Sequence, residues 1–305
     1  MNRREVDGIV LLDKPEGLSS NAALQRVRLA FGARKAGHTG SLDPLASGLL
    51  PICLGQATKT SGLLLDADKT YVFRVALGRS TTTGDREGDT VQTSPVPTFD
   101  EGSLRLCASA FLGETMQVPP MYSALKHDGK RLYRLARAGI EVERPPRRVR
   151  IERLDLIHMG PDWVEFEVAC SKGTYVRSLA EDFARALGTV GHVFALRRIA
   201  LGPFSGSRML TLETIEQAAA DGLTLEAMLL PVDEALPGLP AVQLGVAEQA
   251  SVLQGRDVRA VGPGDSRVRI YGVDGRFLGV GRMSAEGARL APERLMVDVS
   301  ARPPL

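Results

Sequence analysis

Cysteine is scarce in this chain of 305 residues: Cys53, Cys107 and Cys170 stand far apart in apolar surroundings and read as ordinary buried thiols. Their spacing matches no metal-ligand pattern, and four scattered histidines do not complete one, so no metal and no cofactor are expected. No apolar run approaches the roughly 20 residues of a membrane span. Nor does an apolar signal region follow the opening Met1-Asn2-Arg3-Arg4-Glu5-Val6-Asp7, which leads us to expect a cytoplasmic location without membrane contact. Net charge is also nearly absent, at +2, and by itself says little about nucleic acid. Internal repeats and low-complexity segments are missing.

What remains is a globular composition, 44% hydrophobic and 24% charged, long enough for one large or two ordinary domains. The charge is unevenly spread. Residues 126–150 hold nine Lys/Arg against three Asp/Glu, whereas residues 211–234 hold six Asp/Glu and no Lys/Arg. One region suits phosphates and the other avoids them.

Periodicity sets out the elements. Gly8–Leu12 reads as a buried strand, and Leu24, Val27 and Phe31 mark a helix capped near Ser19, Ser20 or Asn21 and closed by Gly32. Residues 49–54 read as a strand and 56–65 as a short helix. Tyr71, Phe73, Val75 and Leu77 share one face of a strand by period two. A connector over 91–98 precedes a helix over 101–112. The segment 129–137 reads as a basic helix ended by Gly139. Val164, Phe166, Val168 and Cys170 alternate as a half-buried strand, and a helix follows to about Leu187. Beyond two short acidic helices, Pro231, Pro237 and Pro240 mark a boundary before short β-segments at 268–271 and 277–283 joined by a hairpin turn.

The densest chemistry lies in Gly37–Pro51, which reads Gly-His-Thr-Gly-Ser-Leu-Asp-Pro-Leu-Ala-Ser-Gly-Leu-Leu-Pro. Three glycines and two prolines surround one imidazole, His38, and one carboxylate, Asp43. Pro44 forces Asp43 away from helix, onto an extended or turn segment. A small stiff loop presenting a single carboxylate suits a one-acid active site.

This run resembles the motif of the TruB family of pseudouridine synthases, close to Gly-His-x-Gly-x-Leu-Asp-Pro-x-Ala-x-Gly-x-Leu-Pro, and meets every fixed position. Further blocks along the chain are similar too: Lys14-Pro15, Gly78 to Gly88 with Asp85, Val118 to Lys126, Ser171 to Leu179, and Gly191 to Arg198. The resemblance implies a stand-alone isomerase that converts the T-loop uridine of tRNA, conventionally position 55, to pseudouridine. It implies an α+β catalytic domain on a mixed, largely antiparallel sheet over residues 1–236. An RNA-binding thumb insertion at about 124–150 and a PUA-like β-barrel over 237–305 complete the expected organisation. Asp43, Tyr71 and Arg177 are then the expected catalytic residues, with Arg177 pairing with Asp43 and lowering its pKa. On the substrate side the resemblance points to His38 for nucleotide flipping, Tyr175 near the base, Leu196 against the pocket and Asp85 either touching RNA or holding its loop. It adds Lys14 as loop support, and Lys126, Lys130, Arg131 and Arg134 on the thumb. The implied partner is the tRNA T stem-loop, with no obligate protein partner and a monomeric state. Two other readings stay open: a tRNA-folding chaperone, and a guide-RNA-dependent pseudouridylation subunit.

Overall fold

The computed structural model describes residues 4–296, so the ends of the expected domains, 1–3 and 297–305, lie outside the described residues. The larger sheet has the strand order 210–211, 8–14, 47–54, 191–201, 69–77, 163–170, 147–159, 113–117. Its pairs are antiparallel except that 191–201 runs parallel to 47–54, and 210–211 parallel to 8–14. The mixed, largely antiparallel sheet of the sequence reading is therefore present.

Burial explains the two kinds of strand. In Trp163–Cys170, Val164, Phe166, Val168 and Cys170 are buried and the residues between them are half-buried. Strand Ser47–Leu54 instead buries seven consecutive residues. One of its faces, with Leu50, Ile52 and Leu54, joins Val10 and Leu12 under the helices Ser20–Ala30, Glu101–Ser109, Val176–Ala186 and Leu212–Ala220. The other, with Leu49 and Cys53, joins Ile9 and Leu11 against Leu236, Val280 and Met296 from the C-terminal part. A strand covered on both faces has no reason to alternate. Each fully buried Leu or Ile there contributes about 1.5–3 kcal/mol.

The C-terminal part forms a curled half-barrel whose strands lie in the order 241–243, 267–271, 277–283, 289–295, 258–259. It encloses its own small core, including Val242, Val252, Val268, Ile270 and Leu290. No helix among the described residues is long and apolar enough to cross a membrane.

Several boundaries differ from the sequence reading. The helix from Glu101 stops at Ser109, and Gly113 opens a strand to Gln117. Residues 91–93, read as the start of a connector, belong to the strand Thr90–Thr93, which pairs with Arg79–Thr81. The basic segment is a hairpin, Lys126–His127 with Lys130–Arg131, followed by the short helix Leu132–Arg137. The segment 56–65 splits into a 3-10 turn, Gly55–Lys59, and the helix Ser61–Leu65. The thirteen-residue strand Arg147–Met159 was not legible, because two register irregularities interrupt its alternation.

Candidate active site

The loop carrying Asp43 is tied at both ends and in the middle. Its entry strand, Ala36–His38, pairs antiparallel with its exit strand, Ser47–Leu54, placing His38 opposite Ile52. In the middle, the Ser20 hydroxyl donates to the Leu42 carbonyl at 2.9 Å and accepts from the Leu42 amide at 2.7 Å. The Gly17 amide donates to the Pro44 carbonyl at 2.8 Å. Lys14, fully enclosed, donates from Nζ to the carbonyls of Pro15 at 2.8 Å, Leu18 at 2.7 Å and Pro44 at 3.4 Å. Gly48 has φ +96°, and a Cβ there would meet the Arg198 carbonyl oxygen at 2.3 Å, so only glycine fits. Holding a loop residue costs about 1–2 kcal/mol of backbone entropy, which these bonds at about 1 kcal/mol each help offset.

Arg177 stands in the first turn of Val176–Ala186, a helix whose start is held by Gln117. The Gln117 side chain accepts from the Tyr175 amide at 2.7 Å and donates to the Tyr175 carbonyl at 3.0 Å. The Arg177 side chain is only 5% exposed and spans three segments. Nη2 lies 3.0 Å from the Asp43 carboxylate and donates to the Tyr122 carbonyl at 2.7 Å. Nη1 lies 3.6 Å from Asp85 and donates to the Thr83 carbonyl at 2.8 Å. Asp85, equally buried, accepts from the Thr83 hydroxyl at 2.5 Å and the Glu87 amide at 3.1 Å. Of the two roles expected for Asp85, the geometry shows the second, a carboxylate that holds its loop.

The Asp43 side chain keeps 42% of its surface open while the rest is enclosed. Loss of water from the enclosed part pushes its pKa above the ordinary carboxylate value; Arg177 pulls back down, Asp85 adds to the rise and Lys14 opposes it. Arg177 acts in the expected direction, and burial, which the sequence reading did not weigh, acts more strongly the other way.

Asp43, Tyr71, Tyr175, Arg177 and Leu196 line one cavity of about 270 Å³, together with Ser41, Leu42, Ser123, Ala124, Thr174 and Val176. A cavity of about 360 Å³ lies elsewhere, against Lys59, Leu63, Arg267, Glu293 and Arg294; it also holds a carboxylate and guanidinia, paired at 2.6 Å, but no tyrosine lines it. Burial pushes the phenols of Tyr71 and Tyr175 upward, and Arg198 beside Tyr71 pulls the other way. The lining therefore combines apolar side chains, Leu42, Val176 and Leu196, with the charged pair Asp43 and Arg177.

The other expected residues lie around it. His38 is at the loop entry and does not line the cavity; its Nδ1 is buried without a partner among the described residues, and burial and then Arg198 lower its pKa. Lys14 lies beneath the loop, away from the surface, as loop support requires. Lys126, Lys130, Arg131 and Arg134 are exposed on the thumb, and none is ion-paired among the described residues. The thumb reaches the site through its base, where Tyr133 N bonds the Ser123 carbonyl at 3.1 Å and Leu132 N the Leu125 carbonyl at 2.8 Å.

Sequence reasoning missed Ser20, Gln117, Ser123 and Arg198. Arg198 is 1% exposed and donates from Nε to the Leu49 carbonyl at 2.7 Å and from Nη2 to the Gly40 carbonyl at 3.1 Å. Its place two residues after Leu196 on a strand was the available clue, because period two puts both on one face.

Residues 28–176 match the TruB family pseudouridylate synthase N-terminal domain, 177–237 the tRNA pseudouridylate synthase B C-terminal domain, and 240–296 the pseudouridine synthase II TruB C-terminal region. The chain is 51% identical to tRNA pseudouridine synthase B of Nitrosococcus oceani over 97% of each chain. It is 51% identical to the same-named protein of Burkholderia mallei over 97% of this chain and 99% of that one. Among solved structures, a Cbf5-Nop10-Gar1 complex contains a chain that superposes with a TM-score of 0.74 at 25% identity, covering 98% of this chain and 87% of that chain. The cavity, the loop that bears its carboxylate and these likenesses agree: the chain belongs to the TruB family of pseudouridine synthases.

Proposed function

We propose that this protein is a tRNA pseudouridine synthase that isomerises the T-loop uridine, position 55, without a guide RNA. The observation that carries the reading is the Arg177-held carboxylate of Asp43, at 3.0 Å, in a cavity bounded by Tyr71, Tyr175 and Leu196. The reaction breaks the bond from C1′ to N1 and makes one from C1′ to C5, with no net oxidation or loss. The target must first leave its stack, at a cost of a few kcal/mol. Ionised Asp43 then either attacks C1′ or removes the C2′ proton to give a glycal, and both routes fit a carboxylate on this loop. Tyr71 stacks on the uracil and takes the C5 proton once the new bond has formed. Leu196 and the neighbouring apolar wall keep the detached base captive and water out. His38, uncharged by burial, helps flipping rather than moving protons. In this reading residues 1–236 form the catalytic domain, the thumb and the unit from 237 onward grip the tRNA, and the protein works as a cytoplasmic monomer without an obligate protein partner.

Incubating purified protein with an unmodified tRNA transcript, and mapping pseudouridine by carbodiimide-blocked reverse transcription, tests this. A stop at the T-loop uridine, with no other macromolecule present, is the expected result. Tight tRNA binding with no stop would favour the chaperone, and a stop only with added guide RNA the guide-dependent enzyme.

A further inference from the structure

Arg198 is a cation enclosed in the protein without any carboxylate within ion-pairing distance among the described residues. An unpaired buried charge is unfavourable and calls for a reason. Two of its N–H groups bond the carbonyls of Gly40 and Leu49, on either side of Asp43. In the antiparallel pairing of 191–201 with 69–77, Arg198 lies directly opposite Tyr71, and Leu196 opposite Phe73, with no irregularity between them. Directly opposite residues have their Cβ atoms about 5 Å apart on the same face. The residue whose guanidinium binds the Asp43 loop is thus the cross-strand neighbour of Tyr71 on the same face.

We propose that Arg198 is a positioning residue for Tyr71: it holds the phenol over the detached base and stabilises the phenolate that accepts the C5 proton. The inference rests on the synthase reading above. In the step concerned, the Tyr71 phenol gives its proton to N1, the resulting phenolate takes the proton from C5, and the C5–H electron pair forms the C5–C6 double bond as the N1–C6 double-bond pair moves onto N1, so that Tyr71 ends as the phenol it began as. A phenolate forming in this enclosed cavity needs a counter-charge. Burial and the Asp43 carboxylate both disfavour ionisation of Tyr71, and Arg198 opposes them. Burial, and to a lesser degree the same charge, lowers the pKa values of Lys14, His38 and Lys69.

The test compares single-turnover rates on tRNA carrying protium or deuterium at uridine C5, for wild type, Arg198→Lys and Arg198→Met. Melting temperature and tRNA affinity are measured on the same preparations. Arg198→Lys keeps a cation and guards against the methionine variant failing to fold. Relative to wild type, Arg198→Lys should slow about tenfold, with unchanged tRNA affinity and a deuterium isotope effect larger than that of wild type. Loss of proton abstraction makes the C5–H step limiting. A variant that is slower with the wild-type isotope effect would show that Arg198 only clamps the loop, and would overturn the proposal. A lysine variant at the wild-type rate would overturn it equally. An inactive wild type would instead refute the synthase reading.

Discussion

Lys14, Arg177 and Arg198 are almost wholly enclosed, whereas Lys126, Lys130, Arg131 and Arg134 on the thumb face solvent. The enclosed three donate mostly to backbone carbonyls: Lys14 to three, Arg177 to two and Arg198 to two. The thumb four have neither carboxylate partners nor side-chain hydrogen bonds among the described residues. The same residue types therefore do opposite work. Enclosed cations fix geometry, because their N–H groups cannot be left unpaired. Exposed cations keep their hydration and counterions until phosphates displace them. In the proposed reading, the centre is built before RNA arrives, and the thumb is left to meet it.

The comparison can be broken most severely at Arg177. Arg177→Met leaves Asp85 buried without its cation and frees Asp43, so we expect about 3–5 kcal/mol lower stability by denaturant titration, with turnover nearly abolished. Survival of both would mean that the enclosed cations are not what orders the centre.

Neutralising the thumb with Lys126→Ala, Lys130→Ala, Arg131→Ala and Arg134→Ala together should leave the single-turnover rate at saturating enzyme unchanged. tRNA affinity should fall, and the slope of log affinity against log salt should flatten by about 0.7–0.9 for each lost phosphate contact. An unchanged slope would take the thumb out of the RNA interface.

Lys14 sharpens the comparison through pH. Burial is the main cause lowering its pKa from the usual value to about 8, partly opposed by Asp43 and two glutamates. Between that value and its unfolded pKa, the unfolded chain binds more protons, so the penalty of burying the charge is present below pH 8 and relieved as pH rises. Wild type should therefore gain up to about 3 kcal/mol on Lys14→Met between pH 8 and 10.5. Parallel stability curves for the two proteins would contradict an enclosed ammonium.

The smallest effect is a control outside both regions. Asp100 caps the Glu101–Ser109 helix by accepting from Ser103 N at 2.8 Å, and Asp100→Ala should lower the melting temperature slightly without changing turnover.

The loop and its neighbours were legible because their information is local. Glycines, prolines and one acid in fifteen residues describe Gly37–Pro51, and period two put Tyr71 on the correct strand face. The pairing of Arg177 with Asp43 came from family likeness, since an arginine in a helix's first turn usually faces water. The support of the site was illegible for a physical reason. Arg197 and Arg198 look equivalent in sequence, but strand alternation sends Arg197 outward to Asp13 at 2.7 Å and Arg198 inward to the loop. Which face is inward depends on strands over a hundred residues away. Gln117 and Ser20 are likewise defined by what packs on them. The net rise of the Asp43 pKa was missed because pairing can be inferred from a motif, whereas burial needs the fold.

The central claim is that Asp43, held by Arg177, makes the cavity an isomerase for a tRNA uridine. Its most direct test is tritium release from a tRNA transcript with 5-tritiated uridine, under single-turnover conditions, for wild type and Asp43→Ala. The account predicts release by wild type, mapped to the T-loop uridine, and none by Asp43→Ala despite unchanged tRNA affinity. Release by Asp43→Ala at the wild-type rate would contradict it.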